Sequence, residues 1–215
     1  MDHSRHETAR RPPKFELVAG ALCLDFVNTL DDRFLEQPKE LLQHYVDLGR
    51  FAEDTRILST LQVDRLFARS TAAPEEAKRA LAAAIRLREA IYHVVWPIAQ
   101  KKPVPRAALY ELNQFVQEAG QHAQLVEAGK GFAWKFDDML NDFRAPLWPI
   151  AKSAAELLVS EDLENVRACA SETCQWLFLD TSKNHRRRWC DMKLCGNRAK
   201  VQRFYQRSHR SARKS

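Results

Sequence analysis

Glycine and proline are scarce: six glycines and nine prolines in 215 residues exclude a collagen-like or low-complexity chain. No stretch approaches the roughly 20 consecutive apolar residues that a helical membrane span requires. The opening residues, Met1-Asp2-His3-Ser4-Arg5-His6, put no apolar segment behind a basic one, so no export signal is expected. There is no Gly-rich phosphate loop, no G-x-S-x-G and no H-E-x-x-H, and His44, His93 and His122 show no metal spacing and no evident nucleophile partner. No enzyme is therefore expected. No internal repeat is visible. Together these absences point to the reducing cytoplasm, with no membrane partner and no disulfide scaffold.

What is present is an ordinary globular composition, 45% hydrophobic and 29% charged, with a mean hydropathy of −0.47. The length suits one large or two small domains with a sizeable core. The net charge of +6 is uneven: residues 166–215 hold thirteen Lys and Arg against three acids, a local +10, so the remainder carries −4. A basic part joined to an acidic one suggests two jobs, and the basic part is the candidate for a polyanion, most often nucleic acid.

Five cysteines are present, and four fall within 27 residues: Cys169 and Cys174, then fifteen residues, then Cys190 and Cys195. Two C-x4-C loops at that separation form the pattern of a four-thiolate zinc site, each loop presenting two sulfurs to one tetrahedral ion. Four sulfurs leave no open position for water, so one structural Zn2+ is expected rather than a catalytic one; the nearby His185 reads as a surface polar residue. Cys23, alone in an apolar stretch, reads as a small buried hydrophobe.

Periodicity predicts a mainly helical chain with a small β-hairpin. Residues 1–14 read as a flexible arm and 15–18 as a short strand. Helices are predicted over 21–30, 39–52 (opened by Pro38), 61–69, 74–98, 105–121 and 141–160. Residues 124–127 and 131–136 read as a hairpin about Ala128-Gly129-Lys130. Ser160 can cap a short helix leading to Cys169. The C-terminal module reads as cysteine loop, hairpin, cysteine loop and helix, with 175–180 paired to 187–190 and the helix running to about residue 208. That is a treble-clef-like order. The expected organisation is an arm to 14, a helical domain over 15–165, a zinc finger over 166–210 and a basic tail over 211–215.

At the finger the residues resemble a known family. Cys195-Gly196-Asn197-Arg198, with Cys169-Ala170, Cys174, Leu177-Phe178-Leu179-Asp180-Thr181-Ser182, Arg188-Trp189-Cys190-Asp191-Met192 and Ala199-Lys200-Val201, is similar to the CGNR zinc finger. Upstream, Leu22-Cys23-Leu24-Asp25-Phe26-Val27-Asn28-Thr29 and Arg86-Leu87-Arg88-Glu89-Ala90-Ile91 resemble the ABATE domain that precedes such fingers. The resemblance implies a bacterial, stress-induced transcription regulator in which a small-molecule-sensing domain is joined to a DNA-binding treble clef.

Several readings stay open at this point. Lys200, Arg203, Arg207 and Arg210 share one face of the terminal helix and, with Arg186, Arg187 and Arg188, are the candidate nucleic-acid contacts. The triple arginine also suits the −2 charge of Zn2+ with four thiolates. Arg198 suits either role. Trp176 and Trp189 are read as the finger's mini-core before base-stacking groups. Asp25, Asn28 and Arg88 either line an effector pocket or form a buried Asp–Arg pair with an Asn cap. The basic module serves DNA first, with RNA or an acidic protein as the alternatives, and the helical domain senses a ligand or forms a homodimer.

Overall fold

The computed structural model describes residues 14–201. The arm residues 1–13, most of the helix expected from sequence, with Arg203, Arg207 and Arg210, and the tail 211–215 lie outside the described residues. No described helix is long and apolar enough to cross a membrane.

Six α-helices build the N-terminal unit: α1 (Leu22–Val27), α2 (Tyr45–Asp54), α3 (Thr60–Ala72), α4 (Pro74–Ala99), α5 (Arg106–His122) and α6 (Leu147–Val159). The spine is α4, 26 residues long. It starts with proline in its first turn and Glu75 and Glu76 at the positive end of its dipole. Its Ala77, Ala80, Ala84, Leu87, Ile91 and Val95 form a buried stripe at helical spacing. Ser59 and Gln62 cap α3 reciprocally. Between α2 and α3 the approach is close because Gly49 lacks a side chain: a Cβ there would come within 2.4 Å of the Phe67 ring. Phe26, Phe51, Trp148, Leu48, Leu66 and Leu112 are buried in one core.

The predicted hairpin forms as β3 (Ala123–Ala128) and β4 (Gly131–Phe136), paired antiparallel, with Gly129 supplying the left-handed turn residue. Two smaller antiparallel ladders complete the chain. Leu30–Asp31 pairs with Lys39–Glu40 (β1, β2), and Val166–Ala168 pairs with Leu177–Leu179 (β5, β6).

Four sequence expectations are corrected. Residues 15–18 form no strand; the Lys14 and Phe15 amides donate to the Asp54 carboxylate, and Phe15 packs edge-on against Phe51. The segment after Pro38 is extended and α2 begins only at Tyr45, because Glu40 is drawn onto the buried Arg88 and the Leu41 amide bonds to the Thr29 carbonyl. Asp142 and Pro146 delay α6 to Leu147: Asp142 accepts from the Arg144 amide, and a residue before proline avoids the helical region. Finally, 175–180 does not pair with 187–190; β6 takes β5 as its partner, upstream of the first cysteine.

That last pairing welds the finger to the helical unit. Phe178, Leu177 and Val166 belong to the same buried core as Phe26 and Trp148.

Candidate metal centre and basic surface

Both cysteine loops are built by short-range hydrogen bonding. In the first, the Cys174 and Gln175 amides donate to the Ser171 carbonyl, and Gln175 takes a left-handed φ of 50° that turns the chain toward Trp176. The Cys169 amide donates to the Trp176 carbonyl at 2.8 Å, closing the loop. In the second, the Asp191 carboxylate accepts from the Lys193 and Leu194 amides, and its carbonyl accepts from the Cys195 and Gly196 amides. Helix resumes at Asn197 and continues through Val201. The two loops are tied together by the Ala170 amide donating to the Arg188 carbonyl at 2.8 Å.

These turns bring Cys169, Cys174, Cys190 and Cys195, all buried, together with every Sγ within 4.8 Å of the others. Cys174 and Cys190 lie 3.7 Å apart and Cys190 and Cys195 3.6 Å apart. A tetrahedron with metal–sulfur bonds of about 2.3 Å has edges of about 3.8 Å, so the cage is sized for zinc, and the sulfurs are well beyond the ~2.05 Å of a disulfide. The four cysteines are positioned to bind one Zn2+ ion. It is the one such cluster among the described residues.

The thiols do not titrate independently. Hydrogen bonds from Cys174 and Cys190 drive the Cys169 thiol well below the ordinary thiol range. The same bonds push Cys174 and Cys190 upward, and burial raises Cys195. A divalent cation at the centre favours all four thiolates at once. Cys23 is separate: fully buried in α1, it is pushed up to about 12 by desolvation.

The loop between the cysteine pairs is organised by Asp180, which the sequence reading passed over. Its buried carboxylate accepts from the Ser182 amide and hydroxyl and from the Arg187 amide at 2.7 Å, and its carbonyl pairs with the His185 ring. Burial raises the Asp180 carboxyl, but those hydrogen bonds outweigh it and hold the group below the usual range. The available signal was local: aspartate two residues before serine is the composition of a side-chain-capped turn. Arg187 is taken up by this framework. Its Nε donates to the Trp189 carbonyl and its guanidinium lies 4.8 Å from the Phe178 ring centroid. Arg186, Arg188, Arg198 and Lys200, with Lys183 and Lys193, are exposed. None of these six pairs with a carboxylate among the described residues. Trp176 and Trp189 are half-buried and pack against the core.

The structure does not bring Asp25, Asn28 and Arg88 to one site. Arg88, only 2% exposed, forks onto both Glu40 oxygens at 2.6 and 2.7 Å and reaches Glu89 at 3.0 Å. Asp25 accepts the Ala19 amide at 2.9 Å. Asn28 turns to the backbone of Leu177. The Asp25–Arg88 pair weighed from sequence therefore does not form.

Asp25 provides a pH test. Burial raises its carboxyl to about 6 against the opposing amides of Ala19 and Val18, so the folded state prefers the neutral acid. The stability this lends is complete below pH ~4, the unfolded-state value, and is lost as pH rises through about 6. Asp25→Asn keeps an acceptor for Ala19. It is expected to match the native protein near pH 4 and to exceed its unfolding free energy by about 2–3 kcal/mol at pH 7. Urea titrations across that range check it; a difference that does not change with pH contradicts it.

Comparison with known families gives two matches. Residues 20–161 match ABATE, described as "Putative stress-induced transcription regulator", and residues 165–208 match the CGNR zinc finger. No curated protein matches the chain.

Proposed function

The chain belongs to the ABATE family and carries a C-terminal CGNR zinc finger, and from that premise we propose that it is a zinc-dependent DNA-binding transcription regulator. The observation that carries the reading is the set of six exposed cations (Lys183, Arg186, Arg188, Lys193, Arg198 and Lys200), none paired with a carboxylate among the described residues, on the two loops and helix start that bear Cys190 and Cys195. A −2 metal centre does not need that many cations, and unpaired surface charge of one sign suits phosphates. Arg203, Arg207 and Arg210 continue the helical spacing of Lys200 in sequence.

Zn2+, when held by Cys169, Cys174, Cys190 and Cys195, supplies cross-linking charge and no reaction. The protein's own groups do the positioning: Asp180 shapes the arginine loop, Arg187 braces it on Phe178, and Asp191 starts the helix that presents Arg198 and Lys200. Such contacts set affinity and orientation on a duplex.

Effector sensing fits a cleft of about 500 Å³ between α4 and α5, lined by Ile85, Ala90, Ala108, Arg86, His93 and Glu111. Its size falls within the range of small-molecule pockets. Asp25, Asn28 and Arg88 do not line it.

The reading is tested with the zinc-loaded protein and the Arg186→Ala/Arg188→Ala/Lys200→Ala variant, titrated against a fluorescent duplex over a salt series. Each phosphate contact contributes about 0.9 to the slope of log affinity on log salt, so the variant should lose up to about 3 from that slope. An unchanged slope removes these side chains from the interface. Preference for single-stranded RNA over the duplex would move the function to RNA.

A further inference from the structure

The outer edge of β6 is gripped by the segment that starts the helical domain. The Asn28 side chain donates from Nδ2 to the Leu177 carbonyl at 2.9 Å and accepts the Leu177 amide on Oδ1 at 3.1 Å. Two residues on, the Leu179 amide donates to the Ala19 carbonyl at 2.7 Å. Gly20 makes this approach feasible. It holds a φ of +81°, the left-handed backbone that favours glycine. The Asp25 carboxylate fixes the Ala19 amide in turn. The two ends of residues 19–28, one on each side of α1, thus hold the outer edge of β6 at two points, with the Asn28 carboxamide imitating one peptide unit.

Only asparagine meets the demand at this place. Its amide presents a donor and an acceptor side by side, whereas aspartate has two acceptors and glutamine one methylene more. Asn28 is 4% exposed and Leu177 1%, so neither group has water as a substitute partner. The grip reaches the sulfurs in few steps. Leu177 follows Trp176, whose carbonyl closes the first loop onto the Cys169 amide, and Cys174 lies three residues before it.

We propose that Asn28 is a positioning residue for the metal site: across 149 residues of sequence it holds the first cysteine loop in register, making metal retention and the packing of α1 one cooperative property. Coupling of this kind is reciprocal: whatever loosens α1 loosens the metal, and loss of the metal frees the edge that Asn28 holds. It requires no particular nucleic-acid partner.

The test measures zinc release from the full-length, zinc-loaded chain into excess EDTA, followed with a metallochromic dye. Asn28→Ala should release zinc at least tenfold faster than the native chain. Val63→Ala, a cavity in α3 away from the finger, serves as the control and should change the rate less than twofold. Native release in Asn28→Ala, or equal acceleration in both variants, overturns the proposal. Asn28→Asp keeps the shape and one bond. Its cobalt-substituted form should show altered ligand-field bands and weaker cobalt binding; a native spectrum and affinity count against the role. Should neither variant fold, the native chain decides by hydrogen exchange. The Leu177 amide and Asn28 side-chain amide should lose protection together on metal removal, and retained protection rejects the coupling.

Discussion

Replacing Cys190 with serine should empty the metal site and loosen the whole molecule, not the finger alone. Cys190 is fully buried and sits centrally, within 3.6–3.7 Å of both Cys174 and Cys195. Structural zinc sites contribute on the order of 10–16 kcal/mol of apparent binding energy in finger peptides, so losing one of four thiolates is expected to lower zinc from one per chain to near zero after chelator dialysis. Because Phe178 and Val166 lie in the common core, the helical signal should melt at lower temperature as well. Cys23→Ser, outside the cage, should keep one zinc. Atomic absorption with thermal unfolding by circular dichroism checks both; one zinc per chain in Cys190→Ser refutes the four-thiolate site.

The second large effect is expected at Arg88. Its guanidinium is buried under Glu40 and Glu89, with Thr29 at 3.4 Å. Burial raises the Glu89 carboxyl, yet the Arg33 and Arg88 contacts prevail and hold it below the usual range. Removing one partner of a fully buried ion pair costs about 3–5 kcal/mol; here Arg88 is buried but the carboxylates left behind keep 31% of their side-chain surface, which holds the cost to the low end, about 3 kcal/mol. Arg88→Ala should therefore lose about that much in urea unfolding at saturating zinc. Arg88→Lys, a point charge without the fork, should recover only part of it. A loss below about 1 kcal/mol in Arg88→Ala would show that the network is solvated.

The same arginine explains where sequence reasoning stopped. Spacing reveals the cysteine cage because its geometry is local, two sulfurs per turn, and α4 is legible because its stripe repeats along one face. Lys39 and Glu40 looked helical, but a partner 48 residues away holds Glu40 extended. The finger's inner pairing failed for a similar reason. Residues 177–179 find one neighbour upstream in β5 and the other in the Asn28 side chain and the Ala19 carbonyl that flank α1, and neither contact leaves a periodic trace. Asn28 could be singled out as a polar residue beside apolar ones, yet nothing in its neighbourhood shows that it faces Leu177. Asp180 could have been found from the Ser182 that follows it.

The most direct test of the regulator reading is fluorescence anisotropy of a mixed-sequence duplex titrated with the full chain, zinc-loaded and metal-stripped, at several salt concentrations. The zinc-loaded chain should bind at micromolar concentration or better, with affinity falling steeply as salt rises, and the stripped chain should bind markedly less. No binding of the zinc-loaded chain at low salt would contradict the DNA-binding reading and assign the basic surface to RNA or an acidic protein.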